Sequence, residues 1–83
     1  MTESIVFSEI SKALTESYFD VSTDDSEGFN ELVIADTRTG YSINVCVEDG
    51  VIEYCQFDDS GEALEMSSVE TSDEMIKIIK GTA

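Results

Sequence analysis

Apolar residues recur along this chain in two different periods, and the change of period marks out its elements. Phe7, Ile10, Ala13 and Leu14 follow the three-then-four spacing of one helical face. Thr2 or Ser4 suits the cap of that helix and Glu3 its first turn, while Glu9, Lys12 and Glu16 fall on its wet side. The period then drops to two. Tyr18 to Ser22 reads as a short strand, followed by an acidic loop from Thr23 to Gly28. Phe29 to Ala35 reads as a second strand, with Leu32, Val33 and Ile34 at its centre.

The clearest alternation runs from Tyr41 to Val47, where Tyr41, Ile43, Val45 and Val47 alternate with Ser42, Asn44 and Cys46. Asp49-Gly50 supplies a two-residue hairpin turn, because both central positions of that turn want positive φ. Val51 to Phe57 is the return strand. The turn length predicts Val47 opposite Ile52 and Val45 opposite Tyr54. One face then carries Ile43, Val45, Val47, Ile52 and Tyr54, and the other Ser42, Asn44, Cys46, Glu53, Cys55 and Phe57. In this register Cys46 and Cys55 are diagonal neighbours, a geometry that disfavours a bridge.

Asp58 to Gly61 forms a second acidic turn, and Glu62 to Met66 reads as either a short edge strand or an irregular connection. Thr71-Ser72-Asp73-Glu74 has capping-box spacing. Met75, Ile76 and Ile79 follow as the stripe of a short helix, with Lys77 and Lys80 near its C-terminus and Gly81 at its end. The expected architecture is a single α+β domain over residues 1–83. It has an antiparallel sheet of three to four strands with an N-terminal and a short C-terminal helix, a two-layer sandwich whose other sheet face stays partly open. Two readings stand for Cys46, Cys55 and Phe57 on that face: an apolar strip with Phe57 as anchor for a partner, or a strip covered by residues 62–70 through Leu64 and Met66.

Charge changes the picture more than any motif does. Nineteen Asp and Glu oppose four Lys and Arg in 83 residues, a formal net charge of −15. Solubility alone needs a magnitude of only about 2–8, and self-repulsion opposes compaction. Asp73, Glu74, Lys77 and Lys80 cancel, so the whole excess lies before the last helix. It falls at turns and strands: Asp24, Asp25 and Glu27; Glu31 and Asp36; Glu48, Asp49 and Glu53; Asp58, Asp59 and Glu62. In a hairpin-built sheet alternate turns share an end, placing Asp36 with Asp58 and Asp59 and putting Glu48 and Asp49 at the other. These eleven carboxylates are the expected partner-binding residues.

The chain has no His, so it offers no Ser-His or Cys-His pair, and it has no phosphate-binding glycine loop. A catalytic role, a cofactor and a dedicated metal site are therefore not expected; 24–28 lacks the ligand spacing of a calcium loop. Two cysteines are too few for a disulfide framework and are expected as free thiols. No apolar run is long enough for a membrane span, and the start, Met1-Thr2-Glu3-Ser4, lacks a basic leader, so a cytoplasmic location is expected.

In size, acidity and order of elements the chain resembles the small acidic inhibitors encoded by phages, including anti-CRISPR proteins and other DNA mimics. The likeness lies in the first helix (Phe7 to Leu14), the acidic loop (Asp24 to Glu27) and the sheet (Glu31 to Phe57). The resemblance implies acidic side chains occupying a target's nucleic-acid site, in a host cytoplasm if phage-encoded. The expected partner is a basic nucleic-acid-binding protein, most sharply a CRISPR effector, with no direct binding of nucleic acid by the chain itself. An immunity protein or antitoxin against a basic toxin nuclease, or a chaperone-like adaptor domain, are the alternatives. Halophilic adaptation is a non-functional explanation of the acidity.

Overall fold

A computed structural model of the chain describes residues 2–25 and 30–81. The elements run α1 (Glu3–Ala13), β1 (Phe19–Asp24), β2 (Glu31–Asp36), β3 (Ser42–Glu48), β4 (Val51–Phe57), β5 (Ala63–Val69) and α2 (Ser72–Gly81). All five strands form one antiparallel meander in the order β1-β2-β3-β4-β5. The fold is α+β, with five strands where three to four were expected. The added strand is β5, seven residues paired along β4 from Ile52↔Val69 to Phe57↔Ala63. It escapes the alternation test because only Val69, at its end, is even half-buried, so its side chains report neither face.

The hairpin register agrees with the turn chemistry. Val47 lies opposite Ile52 and Val45 opposite Tyr54, joined through Asp49 at φ 52° and Gly50 at φ 77°. Both central residues are left-handed, the twist that matches the strands it links. β1 continues to Asp24, which pairs with Glu31, so two residues read as acidic loop belong to the sheet.

The sheet buries one face. Leu32, Ile34, Ile43, Val45, Ile52 and Tyr54 meet Val6, Ile10 and Leu14 from α1 and Met75 and Ile79 from α2. The buried stripe of α1 is thus Val6-Ile10-Leu14, spaced by four, with Phe7 half-buried beside it; the expected stripe had started one residue later. Thr2 caps α1 by accepting from the Ile5 N–H at 3.4 Å. Thr71 caps α2 by accepting from the Glu74 N–H at 3.2 Å, and its hydroxyl donates to Glu74 Oε1 at 3.2 Å. Ser72 Oγ, buried, donates to Glu9 Oε1 at 3.1 Å and ties the two helices together.

The core is a single thin layer, so a lost methylene cluster cannot be made up elsewhere. Ile10→Ala, at a position with no exposure, is expected to cost about 2–5 kcal/mol in urea denaturation. Met66→Ala, at an exposed position, is the matched substitution expected to leave the midpoint within experimental error.

Candidate partner-binding face

Alternation along each strand sends every second residue to the side away from both helices, and paired residues share a side. That uncovered side is built of three rows across the sheet. The first, nearest the β2–β3 and β4–β5 turns, is Asp20, Ala35, Ser42, Phe57 and Ala63. The middle row is Ser22, Val33, Asn44, Cys55 and Met66. The third pairs Asp24 with Glu31 and Cys46 with Glu53, and Glu53 in turn with Ser68. Beyond it, Glu48 faces Val51 across the mouth of the Asp49-Gly50 turn.

Carboxylates therefore gather at one end of the open face. Asn44 Nδ2 donates to Glu31 Oε2 at 3.4 Å, reaching from the middle row into the acidic one. The Cys46 thiol registers the cluster: burial pushes its pKa up, and Glu53, Glu31, Glu48 and Glu3 push in the same direction. A thiol raised in this way stays protonated at neutral pH and is a poor nucleophile. Cys46 and Cys55 are both free and half-buried. With Glu31, Asn44, Glu53 and Met66 they line a shallow hollow.

The chain's four basic side chains lie elsewhere. Lys12 is in the last turn of α1, Lys77 and Lys80 are in α2, and Arg38 is in the β2–β3 turn. Residues 39–76, which include β3, β4 and β5, contain no Lys or Arg. Lys80 Nζ reaches Glu16 Oε2 at 3.4 Å.

The structure separates the eleven candidate carboxylates into groups. Asp24, Glu31 and Glu53 lie on the open face, with Glu48 and Asp49 at its adjoining rim. Asp25 is exposed at the end of β1, and Glu27 lies outside the described residues. Asp36 faces the core side, buried, where Arg38 engages it through both Nε (3.1 Å) and Nη2 (2.9 Å). Its charge is already matched. Asp58 Oδ1 accepts from the Ser60 N–H and hydroxyl and from the Glu62 N–H, so it holds its own turn together. Asp59 sits against the β2–β3 turn: a Cβ on Gly40 (φ 81°) would meet the Asp59 Cβ at 2.9 Å. These two turns do share an end. Glu62 is exposed in the β4–β5 connection.

Residues 62–70 do not fold over Cys46, Cys55 and Phe57, which corrects that expectation. They extend the sheet edgewise, leaving Met66 beside Cys55 and 77% exposed and Leu64 52% exposed. Sequence reasoning also missed Asp20 on the open face; the alternation of Asp20, Ser22 and Asp24 with Phe19, Val21 and Thr23 carries that signal.

Among the described residues no group of three or more Cys, Asp or Glu is placed to hold a metal ion. No helix among them is long and apolar enough to cross a membrane. No protein-family model, curated protein or solved structure matches the chain.

The Arg38 hydrogen bond holds the Asp36 carboxyl below the usual carboxylate range, and the Ser60 hydroxyl does the same for Asp58. Stabilisation from a lowered group is fully present above the ordinary Asp value, about 4, and is lost as pH falls through its folded value. Melting temperature is therefore expected to drop below about pH 4. Asp36→Asn should flatten part of that acid limb while lowering stability at neutral pH. Added sodium chloride at pH 7 should raise the melting temperature, since like-charge repulsion is screened over about 10 Å at 0.1 M.

Proposed function

We propose that the chain is a non-enzymatic inhibitor that docks its open sheet face on a basic nucleic-acid-binding protein and denies that protein its DNA or RNA. A CRISPR effector is the sharpest form of the target. The observation that carries this reading is the acidic end of an open sheet face, Asp24, Glu31 and Glu53 with Glu48 and Asp49, built on strands that contain no Lys or Arg.

Adjacent strands are about 4.8 Å apart, while duplex DNA carries one charge per about 1.7 Å of axis. The face is thus sparser than DNA. It imitates a polyanion through potential held on a rigid surface rather than charge for charge. Rigidity matters, because strand-borne carboxylates lose little freedom on binding. The −15 net charge adds long-range attraction toward a basic groove and speeds encounter.

The test is DNA binding and cleavage by a panel of guide-loaded CRISPR effectors and other DNA-binding nucleases. The chain is expected to block at least one of them, with duplex DNA competing and added salt relieving the block. The combined variant Glu31→Gln, Glu48→Gln, Glu53→Gln should bind about tenfold to hundredfold more weakly and with a shallower salt dependence. Asp59→Asn, at the opposite end, should act like wild type. Inhibition that survives the triple variant unchanged would overturn the reading.

A further inference from the structure

The meander leaves two strand edges, and they are not equivalent. β1 places Asp20, Ser22 and Asp24 on the open face and has no large exposed apolar side chain. Its entry is held by the bond from the Thr37 N–H to the Tyr18 carbonyl at 2.9 Å. β5 has the opposite character. Its outer edge pairs with no other described strand. It contains no Lys, Arg, Pro or Gly, and it exposes Leu64 and Met66 by 52% and 77%. Natural edges are usually blunted by inward charges, prolines or a covering element. β5 has only Glu65 within it.

What surrounds β5 specifies what it accepts. On its β4 side, over the open face, a groove is formed by Glu48, Asp49, Val51, Glu53, Met66 and Ser68. Glu62 and Glu70 flank the strand itself. A strand laid along this edge meets Glu65 within β5 and Glu62 and Glu70 at its ends, and β5 itself holds no cation. A second copy of the chain would bring the same charges and another −15, so self-pairing is opposed. An extended segment whose alternate side chains are Lys or Arg is favoured by that field. Its apolar positions would lie against Leu64 and Met66.

We propose that β5 is the docking edge for an extended basic segment of the target, which adds as a sixth strand. Main-chain pairing supplies affinity, and Glu62, Glu65 and Glu70 along the edge favour positive side chains over negative ones. This rests on the reading that the target is basic, but adds a demand that charge alone does not make: the partner must offer unblocked backbone amides.

The probe is a peptide of alternating Lys and Val long enough to span the seven residues of β5. Its counterpart carries the same side chains with an N-methyl group on every amide, so charge is kept and both edges lose their donors. Binding is followed by amide hydrogen exchange and chemical shifts over Ala63–Val69. The unmodified peptide is expected to bind, slow exchange along β5 and leave β1 unchanged. The N-methyl peptide should bind about tenfold more weakly or worse, as should the unmodified peptide to Met66→Lys. Equal binding of the two peptides would overturn edge pairing while leaving the polyanion reading intact. So would protection confined to β1, or a free chain that sediments as a β5-paired dimer.

Discussion

One constraint governs this molecule: its apolar residues suffice to cover one side of a sheet and no more. Both helices must bury their stripes, and both do so on the face formed by Leu32, Ile34, Ile43, Val45, Ile52 and Tyr54. Among the described residues no third layer packs on the other side. The open face is the complement of the core. Each strand that sends Ile or Val inward must send its neighbours outward, and here those neighbours include Asp24, Glu31 and Glu53. The carboxylates on that side stand where nothing has to pack.

The few cations are used where the backbone must be tied down. Arg38 grips Asp36 with two nitrogens and lies over the Tyr18 ring, 3.5 Å from its centre. Thr37 donates to the Tyr18 carbonyl through both its N–H and its hydroxyl. Together these fasten the entry of β1 to the β2–β3 turn. Lys80 reaches from the last turn of α2 to Glu16, just past the end of α1. With three lysines on the helices and Arg38 in one turn, none of the five strands carries a Lys or Arg.

What the sequence disclosed follows from how strongly each segment is constrained by burial. The β3–β4 register and the bounds of β4 were legible to the residue, and β3 to within one at each end, because alternate positions are buried and Asp49-Gly50 admits one turn geometry. The cap of α2 was legible because Thr71 and Glu74 have a spacing with a single local use. β5 was legible only as one of two readings and over part of its length, since a strand with both faces wet leaves no periodic trace. Nor could composition separate the carboxylates by role. Asp36 and Glu31 look alike in a list of acids, yet one is buried against Arg38 and the other stands on the open face. Only strand register distinguishes them, since the two differ by an odd number of positions on one strand and so face opposite sides.

The same acidity also bears on the weakness that an edge such as β5 creates. An unpaired strand edge invites any extended chain, including another copy of itself, and most proteins answer with lysines or prolines placed on the edge. Here the answer is delegated to the whole molecule. Copies carrying −15 each repel one another before their edges meet. If the proposed basic segment is the occupant of β5, repulsion of like chains and attraction of an opposite one are a single electrostatic device, one that would keep an otherwise unprotected edge selective rather than sticky.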